Sequence, residues 1–592
     1  MRVADYIIEK ICNEGVRHIF TVTGRGTLYL TDAVAKHTEL EAICTHHEQA
    51  AAFAAMSYAQ YNNKLGACLV STGVGATNAI TGLLCSWQDS IPCIFISGQN
   101  LLNETTRHTK IPIRTYGQQE ADIIKLVEPI TKYAVMIEEA CNIVYEVEKA
   151  LYLAQNGRKG PVWIDIPVDV QNMRVEPDEL RHFIPDDIKA NIISDDINYI
   201  SKSFAESKRP SILIGSGVRS AEVIDEFISF VEKYDIPVAY SHSATDTYGT
   251  KNEISIGAVG SMGGTRAGNF VIQNSDLLLV LGSSLSTFTT GSEYIKFARD
   301  AKIIVVDIDE KEHTKNTVKI DKFIHLDLKS FFQEIMLVDM QPCPKDWLNK
   351  CLHWKKIFPK CEDQFKCADK VNLYEFTECL SKVLPDSCTV LSDAGLQELI
   401  IPPNLSLKRG QRCLHPASQG SMGYALPASF GAYYSGSENV IAVIGDGSIM
   451  MNLQELQTIV YNNIPVKIIV ISNNVYSVIR NRQQDLFRKR TIGTDPSNGV
   501  SCPDFKKVAD CFGIKYMKIQ DATNLTEDLS TLISLQGPII CEIIGDENQK
   551  YLHNSFTIGK NKKFIKRTLE DQSPFLGRDL FLSEMIIEPI DQ

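Results

Sequence analysis

The sequence predicts an α/β protein built from three doubly wound, parallel-sheet domains. One unit recurs three times: an amphipathic helical stretch, then Ile-Pro, then a short β-branched run. It appears as Thr77 to Asp89, Ile91-Pro92 and Cys93 to Ser97, and again as Ala221 to Tyr234, Ile236-Pro237 and Val238 to Ser241. The third copy is Leu453 to Tyr461, Ile464-Pro465 and Val466 to Ser472. Proline cannot continue a helix and biases the residue before it toward extended geometry, so each Ile-Pro marks a helix-to-strand switch. The runs that follow are apolar without alternation, as strands are when helices cover both faces of a parallel sheet. A chain of 592 residues also exceeds what one core organises, at roughly one domain per 150 residues.

The first expected domain spans 1–175 and opens with an amphipathic helix from Met1 to Gly15, with Val3, Ile7, Ile8 and Ile11 on one side. Asn172 to Asp196 is polar and acidic, carries Pro177 and Pro185, and reads as a linker. A central domain is expected over 195–335. Gln341 to Lys366 reads as a second linker: it holds Pro342, Pro344 and Pro359, with Trp347 and Trp354 to pin it against a surface. A third domain is expected over 365–550. After Glu547 the strand-helix rhythm stops, and 551–592, through Asp571-Gln572-Ser573-Pro574-Phe575, reads as a tail folded over the body or over a neighbour.

Hydrophobic residues make up 44% and charged residues 22% of the chain, an ordinary globular balance. The net charge of −12 speaks against a nucleic-acid partner, which calls for a basic footprint. Sixteen cysteines lack CxxC pairs or a repeating framework, and the N-terminus is not a charged-then-apolar leader. Free, mostly buried thiols in a reducing cytoplasm are the expectation, with secreted disulfides the weaker reading. No apolar run approaches bilayer length; Val466 to Ile471 and Leu277 to Leu281 have strand length, so no membrane span is expected.

The chemistry concentrates between Gly445 and Asn474. Asn439 to Ile444 is an apolar strand that ends in Gly445-Asp446-Gly447, where glycines let the backbone turn sharply and approach a ligand. A helix follows with Leu453, Leu456, Ile459 and Val460 on one face, and its N-terminus is a seat for phosphate. The next strand, Val466 to Ile471, ends in Ser472-Asn473-Asn474. In a right-handed crossover both strand ends lie at one carboxyl edge, so Asp446 and the Asn-Asn pair are expected to meet. Alone, each motif also reads as a turn or a strand-ending cap. Together they offer a carboxylate, an amide oxygen and backbone carbonyls, which with phosphate oxygens suit Mg²⁺ or Ca²⁺ and not zinc.

Gly445-Asp446-Gly447 followed by Asn473-Asn474 resembles the cofactor motif of thiamine-diphosphate-dependent enzymes. The resemblance implies that Asp446, the Asn474 side chain and the Tyr476 carbonyl hold Mg²⁺ against the diphosphate. His46-His47-Glu48-Gln49-Ala50-Ala51-Ala52 is similar to the family's His-Glu-Gln-Ala-Ala pattern. Read alone, Glu48 is a first-turn glutamate that favours the helix dipole. Read with the family, it is the catalytic carboxylic acid that stabilises the imino form of the cofactor's aminopyrimidine, which takes the thiazolium C2 proton.

The resemblance covers nearly the whole chain and is most specific to the acetohydroxyacid (acetolactate) synthase-like branch. Ser71-Thr72-Gly73-Val74-Gly75-Ala76-Thr77-Asn78 is similar to its glycine-rich turn. Gln119-Glu120-Ala121-Asp122 is similar to its active-site glutamine loop, and Pro129-Ile130-Thr131-Lys132 also matches. Gln419-Gly420-Ser421-Met422-Gly423-Tyr424-Ala425-Leu426-Pro427 resembles the pyrimidine support. This implies a Gly420 carbonyl that accepts from the 4′-amino group and a Met422 wedge that bends the cofactor; a core methionine is the other reading of Met422. Gly75, Gly395, Gln397, Gly445, Gly447 and Ser448 complete the implied cofactor contacts, and Gln119 joins Glu48 in the implied catalytic pair. The resemblance also implies Glu48 of one subunit against Asp446 of another, hence a homodimer or homotetramer with shared sites.

The substrate side departs from the pattern. Thr23-Gly24-Arg25-Gly26 stands where such synthases carry Pro-Gly, Gln118 where they carry phenylalanine, and Gln483 where they carry a tryptophan that favours 2-ketobutyrate. Arg25, Gln118, Ile479 and Gln483 are the expected acceptor pocket, suited to an acceptor larger or more polar than a 2-keto acid. Pyruvate is the expected donor. Arg480, Arg482, Arg488, Lys489 and Arg490 read either as a solvated face or as a site for carboxylate or phosphate. Val500 to Phe505 and the Ser-Pro-Phe-Leu tail are similar to relatives in sugar-modifying pathways. Three functions follow: an acetolactate synthase-like carboligase, transfer of the two-carbon unit to a keto group of a nucleotide-linked sugar, or a non-catalytic cofactor-binding homologue. Intact Glu48, Asp446 and Asn474 count against the last.

The family's middle domain often binds FAD. Here Ile214-Gly215-Ser216-Gly217 admits a phosphate, Gly264-Thr265-Arg266-Ala267 is similar to a flavin-contacting segment, and Asp307 and Asp309 end a strand where a ribose is read. The glycine pair also fits a plain turn, and Ser283-Ser284 replaces an arginine common in relatives. FAD, ADP and an empty pocket are all compatible with Gly215, Gly217, Arg266 and Asp307.

Overall fold

The computed structural model describes residues 1–185, 194–366, 369–558 and 564–590. Outside the described residues lie 186–193 of the expected first linker, 367–368 near the expected start of the third domain, and 559–563 and 591–592 of the tail.

Three six-stranded, all-parallel sheets carry the fold. The first comprises β1 (His18–Thr21), β2 (Glu41–Cys44), β3 (Gly66–Val70), β4 (Cys93–Gln99), β5 (Tyr133–Met136) and β6 (Val162–Pro167), in the order β2-β1-β3-β4-β6-β5. The second holds β7 (Pro210–Ile214), β8 (Val238–Ser241), β9 (Ser255–Val259), β10 (Leu277–Leu281), β11 (Lys302–Asp307) and β12 (Lys322–His325), ordered β12-β11-β10-β7-β8-β9. The third holds β13 (Thr389–Ser392), β14 (Arg412–Leu414), β15 (Val440–Gly445), β16 (Lys467–Ser472), β17 (Lys515–Ile519) and β18 (Ile539–Ile544), ordered β14-β13-β15-β16-β18-β17. Strands β3, β10, β15 and β16 are buried at every position, which is why their sequences are apolar without alternation. Winding reverses between β1 and β3, between β7 and β10, and between β13 and β15, and ligand crevices open at such points.

The helices that position the sites are α1 (Glu48–Asn62), α2 (Ile80–Gln88), α3 (Arg266–Asn274), α4 (Lys345–Ile357), α5 (Leu396–Asn404), α6 (Ala425–Tyr434), α7 (Glu455–Tyr461), α8 (Ser477–Leu486) and α9 (Arg578–Glu584). Helices α1 and α6 join the first and third domains at near-backbone contact. A Cβ on Gly431 would lie 2.2 Å from the Ala54 carbonyl oxygen, and Ser57 Oγ donates to the Ala428 carbonyl at 2.8 Å. The alanine run of α1 exists for this approach; larger side chains would hold the domains apart.

The expected second linker is more ordered than its prolines suggested. Pro344 caps α4 and the other prolines lie outside it, so they punctuate a helix without interrupting it. Trp347 and Trp354 are buried, and Trp354 packs against Phe270 of α3. The tail folds over its own body. His553 bridges to Met262 and Ser573, and Phe581 of α9 packs on Phe270. Among the described residues no helix is long and apolar enough to cross a membrane, and the described cysteines are free.

All three domains meet at Arg412. Its Nε donates to Asp246 Oδ2 of the central domain at 2.6 Å, and its two terminal nitrogens donate to the Tyr61 and Gln60 carbonyls at the end of α1. Arg219 reaches Asp246 Oδ1 at 3.2 Å. Burial opposes ionisation of Asp246, but Arg219 and Arg412 outweigh it and hold the carboxyl down at about 2. Because the folded value lies below the unfolded one, this contribution to stability is complete above about pH 4 and lost as pH falls toward 2. Asp246→Asn should therefore cost about 3–5 kcal/mol at pH 7 by leaving two guanidinium groups under-paired. It should also flatten the fall in thermal midpoint between pH 4 and pH 2; an unchanged midpoint at pH 7 contradicts the clamp.

Candidate active site

The third sheet's reversal point brings the end of β13 beside the end of β15. Gly395, at φ +87°, and Gly445 flank the Gln397 side chain; a Cβ on Gly445 would lie 3.2 Å from Gln397 Nε2. A Cβ on Gly447 would meet the Tyr476 ring at 1.9 Å, so no other residue fits there.

Asp446 is 2% exposed and gathers the ends of two strands. Its Oδ2 accepts from the Asn473 and Asn474 amides at 2.9 and 2.6 Å, and its Oδ1 from Gly447 N at 2.8 Å. Burial raises its carboxyl above the usual range, and the three backbone donors pull against that rise. Asn474 sits at φ +56° with its side chain exposed and without a hydrogen bond among the described residues. The Tyr476 carbonyl accepts from Arg480 N at 2.9 Å at the start of α8, which leaves one lone pair. A buried carboxylate whose ionisation is disfavoured, a free amide and a carbonyl make an all-oxygen set that fits Mg²⁺.

Gly420 and Gly423, both at positive φ, shape the loop expected beneath the pyrimidine. Met422 within it is half-buried and is not a core methionine. Ser448 Oγ and Gly423 N both donate to Asp393, a residue that motif reasoning missed. Asp393 is fully buried, also accepts from Ala394 N and Ala425 N at 2.8 Å each, and is pushed up to about 6 by burial. One carboxylate thus ties the Gly420 loop to the Gly445 loop. The available signal was an acid directly after an apolar strand and shortly before a glycine, as Asp446 also is.

On the first sheet Glu48 opens α1, half-buried, and its Oε2 accepts from Asn78 Nδ2 at 2.9 Å. A Cβ on Gly75 would come within 3.1 Å of Glu48 Oε1. Gln119 holds φ +63°, with its carbonyl where a Gly73 Cβ would stand. Arg25 Nη1 donates to Gln118 Oε1 at 3.1 Å. Glu48, Gly75, Arg25, Gln118 and Gln119 therefore converge at one reversal point. Ile479 and Gln483 lie on α8 in the third domain, where Gln483 bonds the backbone of Ile492. Among the described residues no hydrogen bond or ion pair links Glu48, Gln119 or Arg25 to Asp446, Asn474 or Gln483.

The basic cluster divides. Arg480 bonds the Glu547 carbonyl and Asn548, and Arg482 touches Met262 Sδ at 3.6 Å. Arg488, Lys489 and Arg490 are exposed, without side-chain partners among the described residues.

A cleft of about 650 Å³ runs between the central domain and the other two, and Gly217, Ser283 and Asp307 line it. Gly215 and Gly217 are required by crowding: a Cβ on either would meet Gly282 at 2.1 or 2.6 Å. Arg266, expected to contact a flavin, does not line this cleft. It is buried, pairs with Glu362 at 2.5 Å, and donates to the Gln572 and Pro574 carbonyls of the tail. The tail, far away in sequence, takes up its donors.

Asp393→Ala should leave the buried Gly423 and Ala425 amides without acceptors, at about 1–3 kcal/mol for each group. The expected result is a lower unfolding midpoint and weaker diphosphate-cofactor affinity, with Asp393→Asn milder on both; wild-type affinity in Asp393→Ala contradicts the tie.

Comparison with known proteins agrees with this geometry. Residues 1–126 match the N-terminal TPP binding domain of thiamine pyrophosphate enzymes, residues 197–335 the central domain, and residues 393–543 the C-terminal TPP binding domain. The chain is 29% identical over 564 residues to the acetolactate synthase large subunit of Haemophilus influenzae, covering 93% of this chain and 95% of that protein. It is 31% identical over 568 residues to the probable acetolactate synthase large subunit of Methanocaldococcus jannaschii, 92% of each chain. It is 28% identical over 552 residues to the acetolactate synthase large subunit of Lactococcus lactis, 92% of this chain and 93% of that one. With Glu48 and Asp446 each placed at a sheet reversal, the chain belongs to the thiamine pyrophosphate enzymes, on their acetolactate synthase-like branch of decarboxylases and carboligases.

Proposed function

We propose that the protein decarboxylates pyruvate and joins the two-carbon unit to a second carbonyl, using thiamine diphosphate and Mg²⁺, as an acetolactate synthase-like carboligase. The carrying observation is the pairing of Glu48 with Asn78 on one sheet edge and of Asp446 with the Asn473-Asn474 turn on another. Thiamine diphosphate, when bound, supplies the electron sink for decarboxylation. Asp446, Asn474 and the Tyr476 carbonyl would hold Mg²⁺, and Gly395, Gln397, Gly445, Gly447 and Ser448 would shape the diphosphate cradle. Gly420 would accept from the pyrimidine amino group above Met422. Glu48 would hold a proton at the pyrimidine ring, oriented by the Asn78 amide, and Gln119 would face the substrate.

Because, among the described residues, no hydrogen bond or ion pair joins Glu48 to Asp446 or Asn474 within a chain, each half is read as completed by a second copy, in a homodimer or homotetramer. The apolar rims support this: Val74 beside Gly75 is 64% exposed, and Met450 and Met451 beside Ser448 are 43% and 48% exposed. Free, mostly buried thiols support a cytoplasmic setting.

Unpartnered Arg488, Lys489 and Arg490 after α8, with the polar Arg25–Gln118 pair, favour a second reading of the acceptor as the keto group of a nucleotide-linked sugar. Pyruvate alone should yield acetolactate. Product formed only after a keto-sugar nucleotide is added would replace the first acceptor with the second, and no CO₂ release from any 2-keto acid would leave a non-catalytic homologue.

Glu48→Gln should lower kcat by about 10²–10⁴-fold, with cofactor affinity in the presence of Mg²⁺ little changed by isothermal titration. Asp446→Ala should do the reverse, weakening metal and cofactor affinity first. Loss of cofactor binding in Glu48→Gln with normal saturated turnover would reassign Glu48.

A further inference from the structure

A second polar cluster lies where the central and third domains meet. His242 follows β8, Glu398 sits in the first turn of α5, and His415 follows β14. All three are buried, with side chains 3–7% exposed. One nitrogen from each histidine and one carboxylate oxygen lie within 4.8 Å of one another. Glu398 Oε1 stands 3.8 Å from His242 Nε2 and 3.9 Å from His415 Nδ1, too far for hydrogen bonds.

The donors and acceptors here do not balance. His415 Nε2 lies 3.1 Å from the His242 carbonyl, which only accepts, so Nε2 carries the proton and Nδ1 turns a lone pair toward Glu398. An ionised carboxylate offers only lone pairs. Both His242 nitrogens and His415 Nδ1 are buried without a hydrogen-bond partner. Phe288 packs against the His242 ring at 4.8 Å, and even with its one proton on Nε2 the neutral ring stands 3.8 Å from Glu398 Oε1, too far to donate. A cation that binds lone pairs directly resolves the imbalance.

We propose that His242 Nε2, Glu398 Oε1 and His415 Nδ1 form a site for a divalent transition metal of the zinc type, separate from the Mg²⁺ position. Two imidazoles and one carboxylate select such an ion over Mg²⁺, which takes oxygen ligands. Tetrahedral donors at bonds of about 2.1 Å lie about 3.4 Å apart, so on binding the two histidine–carboxylate distances close by about half an ångström and the histidine–histidine distance by up to about 1.4 Å. The His242 carbonyl on His415 Nε2 is the outer contact that fixes the ligating tautomer. His242 also lines the cleft, which gives the ion a way in and leaves room for water as a fourth ligand. A Cβ on Gly420 would lie 2.7 Å from the other oxygen of Glu398. The ion would therefore brace the turn beneath the pyrimidine against the central domain.

The test uses full-length protein stripped by chelator, with excess Mg²⁺ and thiamine diphosphate present, titrated with Co²⁺. The expected result is one equivalent per chain with the visible absorption of tetrahedral Co²⁺, displaced by Zn²⁺. His242→Gln and His415→Gln should each weaken it by about 100-fold or more, beyond the usual cost of outer-shell changes, and Asp446→Ala should leave it intact. No such absorption in the wild-type protein overturns the proposal, and that result needs no variant to fold. A band that survives both histidine substitutions overturns it too, by placing the metal on surface groups such as Cys44, Cys141 or Cys511.

Discussion

A parallel sheet wound in both directions leaves a crevice at the strand where the winding reverses, because neighbouring loops there depart toward opposite faces. This protein has three such crevices, and each is lined by glycines that neighbouring atoms forbid to carry a side chain. Gly73 crowds Gln119, Gly215 and Gly217 crowd Gly282, and Gly447 crowds Tyr476. The chemistry-bearing residues stand on those turns because only there does the backbone open onto a ligand without breaking the helical cover of the sheet.

The parts legible in the sequence were the local ones. Ile-Pro junctions marked helix-to-strand switches because proline acts on its own neighbours. Gly445-Asp446-Gly447 and Asn473-Asn474 were readable as a pair because one crossover of ordinary length separates them. The role of Asp393 as a tie between loops was not readable. Ala394 N is next to that residue, but Gly423 N, Ala425 N and Ser448 Oγ come from two distant turns whose convergence nothing next to Asp393 in sequence shows. The partners of Arg266 were hidden for the same reason, since they are Glu362 and the tail. The helix Lys345–Ile357 was hidden by flanking prolines that lie outside its span.

Buried charges set how the domains sit on one another. Asp246 with Arg219 and Arg412, and Arg266 with Glu362, each join separate parts of the chain. Such pairs add little over an apolar contact of equal volume, but they tolerate only one arrangement of their partners. The α1–α6 contact supplies the complementary restraint: close backbone approach sets the distance, and the ion pairs set the orientation.

The return of the tail has a consequence for how the molecule is made. Arg266 donates to Pro574, 308 positions downstream, and Phe270 waits for Phe581. During synthesis the central domain leaves the ribosome with a buried-type arginine and an aromatic face still uncovered. It stays so while the whole third domain is translated, at about 5–20 residues per second. The middle of this protein is thus among the last parts to be finished, and its unfinished face is the surface a chaperone would meet.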